Sequence, residues 1–98
     1  MAILDDVKVA LRIAATTNDF DTEIQDLINA AIADLKMAGV VADKAVDSDA
    51  LIKRAIVTYC KSHFGYDNPD AERFLESYLM LKRHLALSVD YTEAVVSP

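Results

Sequence analysis

Apolar residues recur at three- and four-residue spacings through most of this chain, and short polar or glycine-containing breaks separate the runs. That period belongs to a helix with one buried face. The pattern predicts four helices. The first is short, about Leu4 to Leu11, with Asp5 and Asp6 at its positive end and Val7 and Leu11 on one face. The run Val9 to Ile13 can also finish as an extended segment. The second helix runs from about Asp21 to Ala38, with a stripe of Ile24, Leu27, Ile28, Ala31, Ile32, Leu35 and Ala38 opposite Asp26, Asn29 and Lys36. The third follows a cap at Asp47 or Ser48 and reaches about Phe64, burying Ile52, Ala55, Ile56, Tyr59, Cys60 and His63. The fourth runs from Pro69 to about Leu87, with a core face of Ala71, Phe74, Leu75, Tyr78, Leu81 and Leu85.

The breaks have their own chemistry. The loop Ala14 to Phe20 holds Thr17, Asn18 and Asp19, which with Asp21 are good helix starters. Gly39 and Gly65 stand where the second and third helices need a left-handed residue to stop. Asn68 can cap the fourth helix, with Pro69 at its first position, where a missing N–H costs nothing. A tail from Ser88 to Pro98 follows, which can extend as a strand or fold back on the last helix. The expected architecture is therefore all-α: one domain over residues 1–98, a small bundle of about four helices with short loops and a short C-terminal tail.

Charge narrows the function. Sixteen acidic residues against ten basic ones give a net charge of -6, the wrong sign for gripping nucleic acid through its phosphates. Ordinary solubility accounts for such a surface, and it does not exclude DNA sliding past it. A single cysteine, Cys60, cannot form an intrachain disulfide, which fits a reducing compartment. No apolar run approaches a membrane span and the N-terminus lacks a signal pattern, so a soluble protein made in the cytosol is expected.

Catalytic constellations are weak. His63 falls inside an apolar stripe, as a packed structural histidine does, and His84 suits the negative end of its helix. Cys60 and His63 are one turn apart, but a reactive thiol needs an exposed, electropositive setting, and both residues are expected to point inward. Asp19, Asp21 and Glu23 lack the spacing and internal glycine of a calcium loop, and no glycine-rich phosphate loop occurs. No catalytic residue, metal or cofactor is expected.

The more informative feature is apolar excess on the fourth helix. Nine of the fourteen residues from Phe74 to Leu87 are apolar. Leu79 flanks the core stripe, and Met80 and Leu87, seven residues apart, fall opposite Tyr78. Either the tail folds over these residues or a neighbouring subunit does, and Leu79, Met80 and Leu87 are the candidate interface residues.

Several segments resemble one known family. Val7-Lys8-Val9-Ala10-Leu11-Arg12-Ile13 is similar to the opening of the phage head–tail connector family, also called head-completion or adaptor proteins. Phe20-Asp21-Thr22-Glu23-Ile24, with Leu27-Ile28 and Ala30-Ala31, resembles its second helix. Leu51 to Cys60 resembles the third. Phe64-Gly65-Tyr66-Asp67-Asn68-Pro69, with Phe74, Ser77-Tyr78 and Leu81, resembles the connection and last helix. One departure is Ala14, where members often carry an acidic residue. The resemblance implies a structural virion protein, not an enzyme. Its subunits form a homo-oligomeric ring beneath the portal protein. The ring extends the DNA channel without sequence-specific binding and offers a platform to the next neck or tail-completion protein. It also implies a place at the head–tail junction of the virion, after synthesis in a bacterial host. The loops Ala14 to Asp19 and Val40 to Asp47 and the tail from Ser88 are candidate docking segments. A rival from another class is a small dimeric helical DNA-binding regulator, for which Lys53, Arg54 and Lys61 on the outer side of the third helix would be the reading surface.

Overall fold

The computed structural model describes residues 3–14, 16–40, 50–64 and 69–87. Over these residues the protein is all-α, with four helices in chain order: α1 (Ile3–Ala10), α2 (Asp21–Met37), α3 (Ala50–His63) and α4 (Ala71–Leu87). The predicted stripes form the core. Val7 of α1, Ile24, Ile28 and Leu35 of α2, and Ile52, Ile56 and Cys60 of α3 are fully buried, with Tyr78 of α4 beside them. The α3 helix is the hub, packing against α1, α2 and α4.

Two helix ends show how the chain turns. At the end of α2 the Gly39 N–H donates to the Lys36 carbonyl and the Val40 N–H to the Leu35 carbonyl. Gly39 takes φ +115° and Val40 is buried behind it. This is a Schellman motif, which satisfies carbonyls that the helix itself leaves unpaired. The end of α1 repeats the motif without glycine: the Arg12 N–H donates to the Val9 carbonyl and the Ile13 N–H to the Lys8 carbonyl, with Arg12 at φ +64°. The segment Val9 to Ile13 therefore closes as a helix and turn rather than as an extended run.

The start of α2 departs from the expected side-chain cap. Phe20 occupies the cap position and no side chain bonds the free N–H groups. Asp21 is engaged elsewhere, 2.9 Å from the Lys8 ammonium. The Phe20 ring meets Phe64 edge-on, with centroids 5.5 Å apart, so the start of α2 is pinned to the end of α3. The expected signals at Asp47, Ser48, Gly65 and Asn68, and the tail from Ser88, lie outside the described residues.

Candidate interaction surface on the last helix

The α4 helix is held to the bundle along one edge. Of its seventeen residues only Tyr78 and Leu85 are buried. Tyr78 is the main anchor. Its ring meets Tyr59 of α3 at 5.1 Å in a T-shaped contact, and its hydroxyl donates to Asp34 Oδ2 of α2 at 2.6 Å. The Lys82 ammonium, one turn further along α4, reaches the same oxygen at 2.9 Å. A buried tyrosine needs a partner for its hydroxyl, and a carboxylate is a strong one.

This cluster shifts three titrations. Burial alone would raise the Asp34 carboxyl, but the Tyr78 hydroxyl and the Lys82 ammonium outweigh it and hold the group below its ordinary value. Burial, then the bond and charge of Asp34, push Tyr78 well above the usual phenol range. Burial, followed by the same Asp34 charge, raises Tyr59.

The remaining surface of α4 forms walls of two open grooves. One lies over α3 between α2 and α4, with Ala30, Ala33 and Met37 on one wall and Leu75 and Leu79 on the other. The second lies between α3 and α4 and contains Arg54, Val57, Phe74, Met80, Leu81 and His84. Leu79 is 45% exposed, Met80 65% and Leu87 79%. Leu79 and Met80 thus face different grooves, and Leu87 stands at the end of the helix. Met37, exposed at 87% on the wall facing Leu79, extends the apolar surface onto α2.

Three expectations for the core need correction. Phe74 is only partly buried and lines the groove between α3 and α4. His63 and Leu75 do not lie in the interior; both face the groove between α2 and α4. His63 is exposed, its ring stacked on Tyr59 at 4.1 Å and its Nδ1 2.7 Å from Ser62 Oγ. Helical period fixes which side of α3 the ring takes, but the facing residues of α2 are Ala30 and Ala33, too small to cover it. Cys60, by contrast, is fully buried, and burial pushes its thiol up to about 12. The thiol and the imidazole therefore occupy opposite environments, and the arrangement lacks the activated thiolate that nucleophilic chemistry requires. Among the described residues no group of three His, Cys, Asp or Glu side chains is placed to hold a metal ion.

The basic residues of α3 do not form a free reading face. Lys53 pairs with Asp6 of α1 at 3.1 Å, and the Lys61 ammonium sits 5.0 Å from the centroid of Phe74. Arg54 lines the groove beside Met80 and His84.

Lys8 was not anticipated. It is 3% exposed, with its ammonium 2.6 Å from the Thr17 carbonyl and 2.9 Å from Asp21. The side chain closes the first loop across its mouth and joins α1 to the start of α2. A signal was available, because Lys8 follows Leu4 by four residues and precedes Leu11 by three, inside the apolar stripe. The link between Asp34, Tyr78 and Lys82 had no such signal, since its partners are 44 and 48 residues apart.

No helix of the described residues is long and apolar enough to cross a membrane. Neither a curated protein nor a solved structure matches the chain. A family described as phage connector protein does match, over residues 3–92, spanning all four helices and both grooves. That span takes in every segment through which the sequence resembles the head–tail connectors, and the chain belongs to the phage connector protein family.

Proposed function

We propose that this protein is a ring-forming subunit of the phage head–tail junction, which docks beneath the portal, continues the DNA channel and presents a platform to the next neck or tail-completion protein. Membership of the connector family supports the location. The observation that carries the assembly reading is the state of α4: Leu79, Met80 and Leu87 stand exposed on a helix with only two buried residues. They leave α4 apolar on more than one face, and a helix of that kind is covered by something. A closed ring joins two different faces of each subunit, and the two grooves flanking α4 offer distinct faces. Its acidic balance, with a net charge of -6, suits a channel past which DNA slides without being held.

Molar mass by light scattering after gel filtration, across a wide concentration range, tests the reading. The wild-type chain, alone or on its portal, is expected to form a species of about a dozen subunits. Met80→Glu with Leu87→Glu is expected to abolish that species while thermal unfolding stays unchanged. Unchanged assembly of this folded variant would remove α4 from the interface. A tight dimer that never grows, with salt-sensitive binding to duplex DNA, would replace the connector reading with the regulator.

A further inference from the structure

The groove between α3 and α4 combines apolar and basic side chains. Val57, Phe74 and Met80 are among its apolar lining residues, and Arg54, Lys61 and His84 are its basic ones. In a chain of net charge -6 this is a local reversal of sign. The C-terminal segment Ser88–Pro98 has the complementary composition: Val89, Tyr91, Val95 and Val96 interleaved with Asp90 and Glu93, and no Lys, Arg or His. It lies outside the described residues. Its length suffices, since eleven residues span at most about 36–40 Å, whereas the groove from Phe74 to His84 follows α4 for about 15 Å.

We propose that the C-terminal segment of one copy lies in the α3–α4 groove of the next, with Asp90 and Glu93 toward its basic residues and the valines and Tyr91 toward Phe74 and Met80. The proposal rests on the ring-subunit reading and gives it a contact. Donor segment and acceptor groove are different surfaces of one chain, so each copy gives one tail and receives one, as a head-to-tail contact requires. A copy's own tail is the poorer occupant. It leaves α4 at Leu87, one turn past His84, and would have to double back along the helix it has just left to reach Met80 and Phe74.

The test uses two full-length variants. In one the groove is reversed (Arg54→Glu with His84→Glu); in the other the tail is reversed (Asp90→Lys with Glu93→Lys). Circular dichroism first establishes that both keep the wild-type helix content, and their unfolding temperatures are recorded. Each variant alone is expected to raise the dissociation constant for self-association, read by light scattering, by about tenfold or more. An equimolar mixture is expected to associate again, because every reversed tail then meets a reversed groove. Three results would overturn the proposal. If the mixture stays apart while one chain carrying all four substitutions regains wild-type stability, the tail occupies its own groove. If reversing the tail leaves association intact, a different surface fills the groove or the groove is not used. A wild-type chain that remains monomeric up to about 1 mM excludes a tail-mediated contact of useful strength. The second and third results leave the connector reading standing, since ring contacts elsewhere or a portal template can still assemble the subunits.

Discussion

Lys8 and Arg12 sit four residues apart, and each breaks a local rule for a reason its surroundings supply. Lys8 is buried with its ammonium hydrogen-bonded to the Thr17 carbonyl and ion-paired with the Asp21 carboxylate. Lys8→Met keeps the packing and removes both contacts. It is expected to cost about 2–3 kcal/mol in a urea titration, since Asp21 retains partial access to water. Arg12 holds a left-handed conformation that glycine adopts without strain. Arg12→Gly is expected to raise stability by about 0.5–1 kcal/mol, the relief of strain being partly offset by the greater freedom of glycine in the unfolded chain. Cys60 yields a chemical prediction. A fully buried thiol held at about 12 stays protonated at pH 8. A thiol-specific disulfide reagent is expected to leave the native protein unmodified and to label it stoichiometrically in urea.

At the scale of elements, α4 depends on a polar link as well as apolar contact. Tyr78→Phe removes the bond to Asp34 and is expected to cost about 1–2 kcal/mol. The link also makes stability depend on pH at both extremes. Asp34 is held below its ordinary value of 3.8 in the folded state, so its contribution is present above about pH 4. That contribution is lost as pH falls further, because the unfolded chain then binds the proton more readily than the folded one. Tyr78 is raised above its ordinary value of 10.0, so its contribution is complete below pH 10 and declines as pH rises beyond it. Denaturation midpoints measured from pH 2 to 11 are expected to fall at both ends. Asp34→Asn is expected to flatten the acid limb, and Tyr78→Phe to weaken the alkaline one. An acid limb unchanged in the Asp34 variant would assign that limb to other carboxylates.

For the whole molecule, the residues that hold the fold separate from those free to assemble it. Tyr78 and Leu85 face inward, while Leu79, Met80 and Leu87 face out. Leu85→Ala is expected to destabilise the monomer by about 2–5 kcal/mol through the cavity it leaves. Single polar replacements of Met80 or Leu87 are expected to change monomer stability by no more than about 0.5 kcal/mol while weakening self-association. Measuring unfolding and molar mass on the same samples distinguishes the two classes. Equal loss of stability from both would mean that the outer residues are covered within the monomer. The groove reversals above extend the same separation to charge.

The periodic pattern by itself determined the four helices and most of their buried stripes, because backbone bonding and the 3.6-residue repeat act over a few neighbours. The exposed side of α4 was legible for the same reason: Leu79, Met80 and Leu87 exceed what one buried stripe can absorb. Family membership was legible too, since the resembling segments fall in order along the chain and the matching family spans them. Tertiary structure decided the rest. It left His63 and Leu75 on an open groove, because period selects a face but not the size of what lies opposite. It placed Leu79 and Met80 in separate grooves, drew Asp21 away from capping and toward Lys8, and joined Asp34 to Tyr78 and Lys82. Each of these depends on residues distant in the chain, and only the packing of the four helices brings them within a few ångströms.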